Sequence, residues 1–101
     1  MNFEYNILKS EVNRQKHGLS LEEAKQLWLA SAVEIQARTV GEARFLRIGK
    51  IQGVFYSCVY TVRGEVIRLI SARRSRAEEE AIYKEKVDEE TTEEENQGKR
   101  F

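Results

Sequence analysis

The chain has 101 residues, enough for one small domain with a modest core. Its 17 Lys+Arg and 17 Asp+Glu cancel, and a lone Cys58 and a lone His17 exclude both an internal disulfide and a zinc-ligand cluster. No apolar run is long enough to span a bilayer and no charged-then-apolar leader is present, so a cytoplasmic protein without membrane contact is expected.

Phe3-Glu4-Tyr5 reads as a short extended lead-in, after which Asn6 can cap a helix over roughly Ile7–Lys16 that Gly18 stops. Ser20-x-x-Glu23 is a capping box opening a second helix, with Leu21, Ala24 and Trp28 recurring on one face and a fade near Ser31. From Val33 the pattern changes to strands: Val33–Gln36, Arg44–Ile51, Val54–Val62 and Glu65–Ser71, the last three joined by tight turns at Gln52-Gly53 and Arg63-Gly64. Such turns predict an antiparallel meander, with the third strand apolar on both faces and central. Ser75-x-x-Glu78 predicts a capping box for a third helix through about Lys86. The fold class is therefore α+β, with two N-terminal helices and one C-terminal helix on about four antiparallel strands. Residues 1–87 form the domain, and residues 88–101 read as an acidic, disordered tail.

The zero net charge joins two unlike parts. Residues 1–87 carry 15 basic and 11 acidic side chains, whereas residues 88–101 carry 2 and 6. From Arg38 to Arg76 there are nine basic residues and only Glu42 and Glu65 as acids. Arg73, Arg74 and Arg76 crowd the start of the third helix, where unpaired N–H groups already carry partial positive charge. That junction suits an anion and points to a polyanionic partner, with a solvated basic face as the structural alternative.

Several ordered segments carry a resemblance. Phe3-Glu4-Tyr5-Asn6, Lys16-His17-Gly18-Leu19-Ser20, Gly41-Glu42-x-Arg44-Phe45 before Ile48-Gly49, Val59-Tyr60-Thr61, and Arg68-Leu69-Ile70-Ser71-Ala72-Arg73 before a Glu-rich helix with Tyr83 are similar to BrnT-type toxins in order and spacing. The resemblance covers residues 3 to about 86 and leaves the tail outside. It implies a type II toxin–antitoxin toxin, an endoribonuclease of RelE-like microbial ribonuclease fold that inhibits translation and growth. It also implies a BrnA-type ribbon-helix-helix antitoxin, with operator DNA reached only through the antitoxin complex.

RNA cleavage without a metal or cofactor needs a base for the 2′-hydroxyl, stabilisation of the phosphorane, and an acid for the leaving oxygen. Glu42 and Arg44 stand two apart and would share a strand face as base and phosphate holder; a same-strand ion pair is the structural alternative. Arg68 lies between apolar Val66 and Ile70, which suits either a phosphate-binding cleft or an aliphatic stem covering apolar surface. Ser71 adds a hydroxyl donor beside Arg73, Arg74 and Arg76 as substrate-binding candidates. His17 is the only imidazole; a helix C-terminal His is its structural reading, and its place beside Lys16 in the family segment points to catalysis for both. Tyr56 and Tyr60 share a strand face, as base-stacking platforms or as core aromatics. A non-catalytic nucleic-acid- or protein-binding module on the same fold is the competing functional class.

Overall fold

The computed structural model describes the backbone of residues 1–37 and 40–98 and the side chains of residues 1–37 and 40–87. Arg38, Thr39 and the last three residues of the acidic segment lie outside the described residues.

Helix α1 spans Ile7–His17. The Asn6 side chain accepts from the Lys9 amide at 3.0 Å, and Gly18, at φ 74°, returns its N–H to the Arg14 carbonyl at 2.8 Å. The apolar stripe of α1 is inverted: Ile7 and Leu8 are 78% and 77% exposed, while Ser10 and Asn13 are its buried residues. The predicted capping box at Ser20 and Glu23 forms, with both reciprocal bonds at 3.0 Å. Helix α2 is nonetheless brief, Leu21–Ala24, and tightens into a 3-10 turn over Lys25–Trp28 instead of running on to Ser31. Arg47 ends it by donating from Nε to the Leu27 carbonyl at 2.8 Å.

The strands are β1 (Asn2–Glu4), β2 (Ala32–Ala37), β3 (Arg44–Ile51), β4 (Val54–Arg63) and β5 (Val66–Arg74), in the order β1-β5-β4-β3-β2. The predicted meander is present and β4 is central, because Gln52 and Gly53 both adopt left-handed backbone and turn β3 into β4. The four-stranded antiparallel expectation needs correction: the lead-in is a fifth strand, parallel to β5, with Phe3 opposite Ile67 and Glu4 opposite Arg68. The sheet is therefore mixed. A register shift pairs Tyr60 with Leu69 and Val59 with Ser71, leaving Ile70 as a bulged residue.

One sheet face carries Ile51, Cys58, Tyr60, Leu69 and Ala72 onto Leu19, Leu21, Ala24 and Leu27. Gly49 admits this packing, since a Cβ there would sit 3.2 Å from Leu27 Cδ2. Helix α3, Ala77–Gly98, packs against the opposite side, where Tyr83 meets Phe55 edge-on at 5.2 Å. Two expectations for α3 are corrected. Arg76, not Ser75, precedes its first residue, and its amide donates to the Glu79 carboxylate at 2.8 Å. Its backbone also continues beyond Lys86, through acidic sequence expected to lack structure, as far as Gly98. Glu-rich sequence free of proline is compatible with helix. No described helix is long and apolar enough to cross a membrane.

Candidate functional site

The sequence-derived candidates fall into three groups along β5. The first is an open groove of about 340 Å³ at the outer edge of β5, where β1 has ended. Lys9, Lys16 and His17 of α1 form one wall, and Ile70 and Ser71 of β5 form the other. Lys9, Lys16 and His17 follow helical spacing close to i, i+7 and i+8, which brings them to one side of α1. No carboxylate lies within ion-pair distance of Lys9 or Lys16 among the described residues. The bulge at Ile70 matters here. Ser71 opposite Val59 and Arg68 opposite Thr61 share a face, so Ser71, and not Ile70, follows Arg68 on it.

The second group gathers Glu42, Arg44 and Arg68 at the far end of the same sheet face. Arg68 Nη1 lies 3.3 Å from Glu4, Arg63 lies 3.9 Å from Glu4, and Arg63 Nε lies 3.0 Å from Glu42. The four charges alternate, Glu42–Arg63–Glu4–Arg68. Glu42 precedes β3, and its carboxylate is held by Arg63 from β4. The Arg63 guanidinium holds its carboxyl below the usual carboxylate range, with Thr61 and Arg44 acting in the same direction. A carboxylate so stabilised is a weak proton acceptor.

At the third group, the β5–α3 junction, the chain supplies its own anion. Glu79 accepts both Arg73 nitrogens, at 2.7 and 2.8 Å, the Ser57 hydroxyl at 3.0 Å and the Arg76 amide. Ser75 is engaged with Ser57, hydroxyl to hydroxyl, at 2.7 Å. Arg73, with Arg76 and Ser57 assisting and burial opposing, holds the Glu79 carboxyl at about 2. Arg74 and Arg76 remain exposed, with no ion-pair partner among the described residues.

The aromatic candidates are core. Tyr60 stacks on Phe45 and meets Trp28 edge-on, and its hydroxyl donates to Glu34 at 2.6 Å. Tyr56 packs against the same cluster, and burial pushes the Cys58 thiol up to about 12, which leaves it inert as a nucleophile. No three His, Cys, Asp or Glu side chains converge as a metal site among the described residues. Sequence reasoning missed Glu4, Arg63, Glu79 and Asn13. Asn13 lines the groove from beneath Lys16 and His17. The available signal was a pair of polar residues, Ser10 and Asn13, at i, i+3 inside a short helix whose apolar residues lie elsewhere.

No curated protein matches the chain. Residues 5–79 match the family described as the ribonuclease toxin, BrnT, of type II toxin–antitoxin systems, a stretch that includes the groove, the Arg73–Glu79 junction and every member of the charge chain except Glu4. The chain belongs to the BrnT family of ribonuclease toxins of type II toxin–antitoxin systems.

Proposed function

We propose that this protein is a metal-independent endoribonuclease that cleaves RNA in the groove between α1 and β5, and so inhibits translation and growth. The observation that carries the reading is the meeting of Lys16, His17 and Ser71, two of them adjacent in sequence and the third from a distant strand, around one open groove with unpaired Lys9 beside it. Elsewhere on the sheet most arginines are neutralised by carboxylates. Here the lysines are left for an anion.

The 2′-hydroxyl gives its proton to a base and attacks phosphorus, and the 5′-oxygen departs with a proton from an acid, leaving a 2′,3′-cyclic phosphate and a free 5′-hydroxyl. His17 is the group suited to move these protons, as the one imidazole of the chain and a wall of the groove. Lys16 meets the charge on the phosphorane oxygens, and the Ser71 hydroxyl orients the phosphate. Arg68 guides the neighbouring phosphate; to do so it exchanges its contact with Glu4 for the RNA. Glu42 and Arg44 act at that end as a salt-sensitive docking edge rather than as the base, because Arg63 already holds Glu42. Arg74 and Arg76 extend the basic track, and Arg73 serves as a structural anchor. A ribbon-helix-helix antitoxin neutralises the toxin, and operator DNA is bound through that complex.

Incubating the purified protein with RNA, with and without EDTA, tests the class of activity. Cleavage that persists in EDTA and leaves cyclic phosphate ends is expected. Binding without cleavage would assign the fold to a non-catalytic module instead. Arg68→Ala is expected to weaken RNA binding several-fold while costing at most about 1 kcal/mol of stability, the range for partly exposed ion pairs. Unchanged RNA affinity in that variant would remove Arg68 from the site.

A further inference from the structure

We infer that Asn13 is the positioning residue of the groove: it sets where Lys16 and His17 stand relative to Ser71. The inference rests on the reading of that groove as the cleavage site. Helix α1 turns Ile7 and Leu8 to solvent and buries only Ser10 and Asn13, so an apolar stripe does not fix its placement. Hydrogen bonds take over that task. Asn13 Oδ1 accepts from the Ala72 amide at 3.1 Å while Nδ2 donates to the Ala72 carbonyl at 2.6 Å. A side-chain amide pairing with both polar groups of one residue mimics a strand, and it does so on the β5 edge beyond the reach of β1. The second hydrogen of Nδ2 goes to the Leu19 carbonyl at 2.6 Å, which ties down the segment just after Gly18.

One buried side chain thus joins α1, the α1–α2 connection and the strand next to Ser71. Lys16 and His17 lie three and four residues later, on the same side of the helix, so any slip of Asn13 is passed to both. Ser10 tethers α1 differently: its hydroxyl accepts from the Leu21 amide at 2.9 Å and does not reach β5. A misplacement of about 1 Å at a catalytic group costs roughly 100-fold in rate.

The test measures RNA cleavage by His17→Ala, Lys16→Ala, Asn13→Ser, Asn13→Asp and Ser10→Ala, with folding followed by circular dichroism and trimethylamine N-oxide added to hold weakened variants folded. Asn13→Ser and Asn13→Asp should each lower kcat about 100-fold while folded, whereas Ser10→Ala should lose stability and keep kcat. Asn13→Ser added to the double variant His17→Ala/Lys16→Ala should slow cleavage no further, because the two groups it positions are already gone. Folded Asn13 variants with the parent kcat, or a further loss of about 100-fold on top of that double variant, would overturn the inference. Normal cleavage by both His17→Ala and Lys16→Ala would instead overturn the site itself.

Discussion

Glu79 occupies the anion position that Arg73, the Arg76 amide and the Ser57 hydroxyl create at the end of β5. Its depressed carboxyl, at about 2, makes the junction a stability element with a defined pH signature. An unfolded carboxyl titrates near 4.3, so the stabilisation is fully present above that value and is lost as pH falls toward 2. Glu79→Ala leaves a partly buried guanidinium without its partner and should cost about 2–3 kcal/mol at neutral pH, somewhat less than a fully buried pair. Glu79→Gln should flatten the acid limb of stability between about pH 4.5 and 2. Thermal unfolding against pH checks both; parallel acid limbs in parent and Glu79→Gln would show that Glu79 does not titrate with folding. The residues of this junction were legible in the sequence as an anion site, but not their occupant. Ser57 and Glu79 are brought together by the β4–β5 register, and a capping motif one residue earlier drew attention to Glu78.

At the scale of elements, long periodic segments and tight turns were readable and short or inverted ones were not. The β3–β4–β5 meander follows from alternation and from two-residue turns, both of which act locally. Strand β1 has three residues, too few to show a period, and its parallel register comes from distant partners: Phe3 against Trp28 and Glu4 against Arg68. Helix α1 misleads in the opposite way. Its capping signals mark both ends correctly, yet its apolar residues point outward, so the buried face could not be read from hydrophobicity. The 3-10 turn after α2 lies tight against β3, with the hypothetical Cβ of Gly49 within 3.4 Å of Ala32 Cβ as well as close to Leu27. Gly49→Ala should therefore cost about 1–2 kcal/mol and lower the unfolding midpoint by several degrees. An unchanged midpoint would mean that the turn relaxes freely away from the sheet.

At the scale of the molecule, charge that looks uneven along the sequence is partly evened out in space among the described residues. The basic window from Arg38 to Arg76 meets Glu4, Glu34, Glu42 and Glu79, and three of these four lie outside it. Counting along the chain therefore overstated the basic surface, while the groove cations Lys9 and Lys16 lay outside the window altogether. Residues 88–101, with 6 acidic and 2 basic side chains, add a separate negative field. Deleting them should tighten RNA binding at low salt, and the gain should fade as ionic strength passes about 0.1 M, where the screening length is about 10 Å. Equal affinities at low salt would leave the acidic segment no part in RNA binding. The proposed cleavage in the groove turns on His17, and the decisive measurement is the rate of RNA cleavage in EDTA for His17→Ala against the parent chain, with unfolding midpoints measured alongside. A loss of about 10²–10⁴-fold is expected, typical of removing a general acid–base group, with the midpoint unchanged. Cleavage by His17→Ala at the parent rate would rule the groove out as the cleavage site.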